Sequence, residues 1–312
     1  MDSPLSESID KAIRELAEGE EIPSNTTLAE LSCLGPGEIK LFRDIWDELD
    51  TERRIQIVSR LSELAEDNLE LNFDSIFRYC LSDLEDDIRR MAIEGLWENE
   101  DTSLIDPLIK LLEEDESEKV QSAAAIALGK YVLLAELGKL RNENAEKVRE
   151  ALLSAIDDRN KSTEVIRRVL ESAAPLSTPD VQEAISDAYY SSDPGLIISA
   201  IYSMGKSCDT SWLPILVKET ENDDPEIRYE AAGACGELED ERAVPALVKL
   251  ANEDDDIDVR MAAIQSLGKI SSLSARECLK LCLESQNDAV KEAAEEALQK
   301  INASDDPLSF RI

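Results

Sequence analysis

The sequence contains no histidine. That removes imidazole acid–base catalysis, Ser-His-Asp and Cys-His nucleophile systems and His-ligated metals. Aromatic residues make up only 4% of the chain, so the core is expected to consist of Ala, Leu, Ile and Val. Cations are outnumbered: 33 Lys and Arg stand against 69 Asp and Glu, a formal charge of −36. Nucleic acid and an anionic membrane surface are therefore not expected as partners, because both need a Lys/Arg footprint. Long apolar runs are missing as well. The richest stretch, Ala123 to Leu137, carries Lys130 and Glu136 and falls short of a membrane span. The opening residues, Met1-Asp-Ser-Pro-Leu-Ser-Glu, have neither the basic start nor the apolar stretch of a secretory signal. These absences favour the cytoplasm. Six cysteines form no compact disulfide framework; Cys208, Cys235, Cys278 and Cys282 fall within repeats, mostly at apolar positions, as reduced thiols do.

What the chain does contain is a repeat. Asp224 to Glu237 reads as one amphipathic helix, with Asp224 as N-cap, Pro225 in the first turn and Ile227, Ala231 and Cys235 on one face. Gly236 follows the last apolar residue, where a helix usually stops. With Ile227 as position zero, the same slot holds Arg53, Ile88, Val120, Val165, Leu196, Val259 and Val290. Position +4 holds Ile57, Ala92, Ala124, Val169, Ala200, Ala231, Ala263 and Ala294. Position +8 holds Leu61, Leu96, Leu128, Ala173, Met204, Cys235, Leu267 and Leu298. Eight copies, most of them spaced by 31 or 32 residues, imply a solenoid with a continuous core.

Three segments are expected: an N-terminal helical cap over residues 1–37, the repeats over 38–301 and a C-terminal tail over 302–312. The cap should hold a helix from Ser6 to Ala17, a turn, a short helix to Leu34 and a break at Gly35-Pro36-Gly37. Each repeat should be a helix A, an acidic turn and the helix B just described. Acid in that turn suits the N-terminal dipole of helix B. The step between Val120 and Val165 is 45 residues, which places about 14 extra residues at 131–144. Val132, Leu133, Leu137 and Leu140 suggest a prolonged helix B or an extra helix there, packing locally or shaping a binding face.

Asp224-Pro-Glu-Ile-Arg…Ala-Ala and Asp256-Ile-Asp-Val-Arg…Ala-Ala…Leu-Gly resemble HEAT repeats, most closely the short bacterial type also found in phycobilin-lyase-related proteins. The resemblance implies an all-α, right-handed α-solenoid of about eight helix pairs. It implies a non-enzymatic scaffold that holds a protein or peptide in the concave groove lined by B helices. Two alternatives stand beside it: a lyase-like role in chromophore attachment, and a DNA glycosylase built on HEAT-like helices, which the charge opposes. Position +1, with Arg54, Arg89, Gln121, Arg228, Arg260 and Lys291, resembles the Asp–Arg ladder of HEAT proteins. Asp224 and Asp256 are its candidate acids, and it lapses at Ile166 and Ile197.

No catalytic residue, cofactor or metal site is expected. Cys278 and Cys282 lie one turn apart without further ligands nearby. The acidic turns lack the spacing of a calcium loop. Specificity should lie at positions +2 and +6 of helix B, about 200° and 240° from position zero. There Ile198, Tyr202, Tyr229 and Met261 form an unusually apolar strip with Gln265 next to it, whereas Arg90, Glu94 and Arg167 mark polar ends. These eight are the candidate protein-binding residues, with a basic partner and a monomeric chain expected.

Overall fold

The computed structural model describes residues 7–19, 22–176 and 178–305. Within them the chain is α-helical and contains no strand. The N-terminal heptapeptide lies almost wholly outside the described residues, as does residues 306–312 of the tail. Two compact units divide the chain at residues 151 and 152, within one helix.

In the first unit, α1 (Glu7–Glu15) and α2 (Asn25–Ala29) precede three helix pairs. These are α3 (Pro36–Trp46) with α4 (Thr51–Asp67), α5 (Asp74–Cys80) with α6 (Asp86–Gly95), and α7 (Ile105–Glu114) with α8 (Glu118–Glu136). Gly35-Pro36 is the start of α3 as much as a break: Pro36 occupies the first helical position and Glu38 Oε2 accepts from Gly35 N–H at 2.7 Å. α1 packs on α3 and α2 on α4, each extending one row of helices. Arg53, the one cation at position zero, donates to the carbonyls of Leu16, Glu18 and Gly19, the exposed end of α1. The long step is taken up by α8, which runs on to Glu136 as a prolonged helix B.

α9 (Asn142–Asp157) spans the division. The second unit continues with α10 (Thr163–Ala173), then α11 (Pro179–Tyr189) with α12 (Pro194–Lys206), α13 (Leu213–Glu219) with α14 (Pro225–Glu237), α15 (Val244–Glu253) with α16 (Ile257–Ile270), and α17 (Leu273–Cys282) with α18 (Asp288–Asp305). Every residue at position +4 is buried, as are seven of the eight at +8, the exception being half-buried Leu298. In the second unit each helix B of the row α12, α14, α16, α18 rests on its own helix A and on its neighbours in the row.

Three expectations need correction. Gly205, Gly236 and Gly268 do not stop their helices. A Cβ on Gly236 would lie 2.6 Å from Ser266 Cβ, and one on Gly205 would lie 2.7 Å from Ala234 Cα. These glycines at +9 let successive B helices approach, and the left-handed residue that ends the helix comes three positions later, at Cys208, Glu239 and Ser271. Second, the core of the first unit is not purely aliphatic. Phe42 stacks on Trp46 at 5.1 Å, and buried Phe73 meets Phe77 edge to face. Third, Cys208 is exposed in its turn, whereas Cys80, Cys235, Cys278 and Cys282 are buried; none of the six is in a disulfide.

Candidate functional site

The ladder exists, but its acids are different residues. Arg89 pairs two-pronged with Asp115, at 2.7 and 2.8 Å, and Arg228 pairs in the same way with Asp254, at 2.7 and 2.9 Å. Arg54 reaches Asp83 at 2.7 Å, and Trp46 Nε1 donates to the same carboxylate. Each acid lies five residues before position zero of the following repeat, so each rung ties neighbouring repeats together. Asp224 and Asp256 instead cap their own helices: Asp224 accepts from Glu226 N–H, and Asp256 from Asp258 N–H and Val259 N–H. A two-residue offset decides this, because the N-cap must sit beside the first free amides, whereas the arginine extends back past the turn. Where the next repeat offers Ser285 in place of the acid, Arg260 donates to the Ala251 carbonyl instead. Among the described residues Lys291, on the last helix pair, pairs with Asp288 of its own helix, at 3.3 Å.

The ladder lapses on both sides of its partnership. Ile166 and Ile197 face repeats that carry Ser191 and Asn222 where the acid would be. Ile166, Leu196 and Ser191 line a cavity of about 640 Å³, edged by Asp157, Glu183 and Asp187.

The strip proposed from positions +2 and +6 lies on α12, α14 and α16, which pack in sequence. Tyr202 and Tyr229 are 37% and 46% exposed, whereas Ile198 and Met261 are half-buried in the seams between helices. Lys206 Nζ lies 5.5 Å from the Tyr202 ring centroid, and burial pushes the Tyr202 hydroxyl pKa upward. Gln265 is exposed and shares a cavity of about 310 Å³ with Lys269 and Glu296.

The polar ends behave differently from one another. Arg167 is a staple: its Nε donates to Ser199 Oγ at 3.0 Å, its Nη1 pairs with Glu164 at 2.9 Å, and Ser199 in turn donates to Glu171 at 2.6 Å. Arg90 and Glu94 pair with each other at 2.6 Å and belong to the first compact unit, so they are not part of the α12–α16 strip.

Two features of this face were not read from the sequence. Glu237 bridges Lys206 and Lys269, at 3.3 and 2.7 Å, and forms a charged row along three B helices. The signal was there: all three residues stand at position +10. Glu230, at +3, occupies a seam position where half of the repeats carry Ala or Ser. Burial, then the charge of Glu171, pushes its carboxyl up to about 7.

A family model for HEAT repeats matches residues 75–163 and 213–299, more than half of the chain. This chain belongs to the HEAT-repeat family. Solved structures agree on the fold. Yeast importin-β (Kap95p) is 11% identical, with a TM-score of 0.57 over 95% of this chain and 46% of that one. Kap95 in its complex with Nup1 is 12% identical, with a TM-score of 0.52 over 95% and 46%. This HEAT-repeat chain thus spans less than half the length of importin-β. The complex of CpcE and CpcF of phycocyanin lyase from Nostoc sp. is 18% identical, with a TM-score of 0.47 over 74% of this chain and 94% of that one. No curated protein matches the sequence significantly. No helix among the described residues is long and apolar enough to cross a membrane.

Proposed function

We propose that this HEAT-repeat chain is a non-enzymatic scaffold that holds a protein or peptide against the B helices of its second unit. The observation that carries the reading is the pair Tyr202 and Tyr229, exposed on successive B helices and flanked by half-buried Ile198 and Met261. Tyrosine joins apolar area to a hydroxyl at little entropic cost, which is why it dominates binding hot spots. Glu171 and Glu237 near Tyr202 favour a basic segment in the partner, since opposite charge speeds encounter and selects against acidic competitors. The proposed setting is a monomer in the cytoplasm, which suits six thiols outside any disulfide.

The test is Tyr202→Ala combined with Tyr229→Ala, on a chain whose thermal unfolding is unchanged. Both side chains are partly solvent-exposed, so folding should tolerate the loss. A partner captured by the native chain is expected to bind the double variant roughly 10- to 100-fold more weakly. Unchanged affinity would overturn the reading.

A further inference from the structure

The first unit carries a surface that neither the repeat frame nor the proposed strip uses. Prolongation of α8 places Ile126, Leu133 and Leu137 within about 40° of one another on the helix, along roughly 17 Å of its length. They are 57%, 53% and 67% exposed. Trp97, just past the end of α6, is 64% exposed and stands beside the stripe. Trp97 and Ile126 wall a groove of about 450 Å³ floored by Ile93, Ala123 and Ala127. Exposed Leu69 lines a second groove together with Trp97. These five large apolar side chains, exposed on one unit, depart from the scattered exposure of a solvated surface.

The rim of this surface is acidic. Glu66 and Glu94 line the first groove, and Glu66 and Glu98 the second. Glu94 is paired with Arg90, but Glu66 and Glu98 have no ion pair among the described residues. Lys130, within the stripe, does not offset them at the surface. Its ammonium turns inward and donates to the carbonyls of Leu96, Trp97 and Asn99, the free acceptors after α6.

We propose that Trp97, Ile126, Leu133 and Leu137 form a docking surface for a basic amphipathic helix of a partner protein. The straight stripe offers apolar anchors at i, i+7 and i+11 for a helix lying along α8, and Glu66 and Glu98 meet its Lys or Arg residues. A second copy of this chain is opposed by its own charge of −36. The surface is independent of Tyr202 and Tyr229.

The probe is a synthetic amphipathic helix of Leu and Lys, with a Leu and Glu peptide of the same pattern as its counterpart. Fluorescence anisotropy is read on the full chain at physiological salt. The Leu/Lys peptide should bind, and Trp97→Ala with Leu133→Ala should weaken it at least tenfold. Tyr202→Ala with Tyr229→Ala should leave it within twofold. Glu66→Gln with Glu98→Gln should weaken it about threefold without altering the fold, as both are exposed. Equal binding to the Trp97/Leu133 variant would mean unspecific attraction to an acidic protein and would overturn the proposal. Equal binding of the Leu/Glu peptide, or a concentration-dependent dimer abolished by Trp97→Ala, would also overturn it.

Discussion

In the first unit the outward face of helix B carries Ile126, Leu133 and Leu137, with Trp97 in the turn after α6; in the second it carries Tyr202 and Tyr229 beside Glu171, Glu230 and the Lys206–Glu237–Lys269 row. Beneath those faces the frame is the same. Positions 0, +4 and +8 are apolar in both units with few exceptions, and an Arg–Asp rung of one geometry appears in each. The difference shows where selection for packing ends. A residue at +4 must fit between two helices, so Ala recurs there. A residue at +6 touches little of the frame, so Glu94, Ile126, Tyr202 and Gln265 can all occupy it. The units also differ within. Aromatic rings fill the first two repeats, whereas the second unit brings its B helices together over Ala, Ser and Gly.

The strongest break in the frame should come at an intact rung. Asp115→Ala leaves the mostly buried Arg89 without its carboxylate and should lower stability by about 3–5 kcal/mol, measured by urea unfolding. A milder result, below about 1 kcal/mol, would mean that the rung is solvated. The glycines sharpen the contrast between seam and surface. Gly236→Ala should destabilise by about 1–3 kcal/mol, because the new methyl meets Ser266. Gly233→Ala, three residues earlier and facing open space, should instead stabilise by about 0.5–1 kcal/mol.

Glu230 gives the second unit a pH dependence. Its carboxyl is pushed from 4.5 up to about 7, so the folded chain holds that proton more tightly than the unfolded one. The associated stability is complete below about 4.5 and is lost as pH rises through 7. Glu230→Gln should therefore be more stable than the native chain at pH 8, by roughly 1–3 kcal/mol, with the gap closing toward pH 4.5. Thermal melts at the two pH values read this directly. The smallest effect should be Arg260→Ala, below about 1 kcal/mol, since its side chain has a carbonyl rather than a carboxylate partner.

The frame was legible because a periodic pattern reports burial directly. Eight helix pairs follow from eight occurrences of the 0, +4, +8 pattern, and the buried residues match it. The ladder was half legible. Arginine at +1 announced itself, but its acid lies in the next repeat, five residues before position zero, and local spacing pointed to the caps Asp224 and Asp256 instead. The glycines misled for a similar reason: glycine near a helix end reads as a stop, yet Gly236 answers to Ser266, thirty residues away. The wheel placed Tyr202 and Tyr229 outward, as they are, but it placed Ile198 and Met261 outward too, and those are half-buried in the seams. Trp97 escaped because it stands at +9, where other repeats carry glycine in a helix seam, whereas α6 ends at Gly95 and leaves Trp97 in the turn beyond it.

Amide hydrogen exchange of the chain with and without its captured partner tests most directly whether binding belongs to the B helices. The expected result is protection on α12, α14 and α16 with α11, α13 and α15 unchanged. Protection on those A helices alone would contradict it.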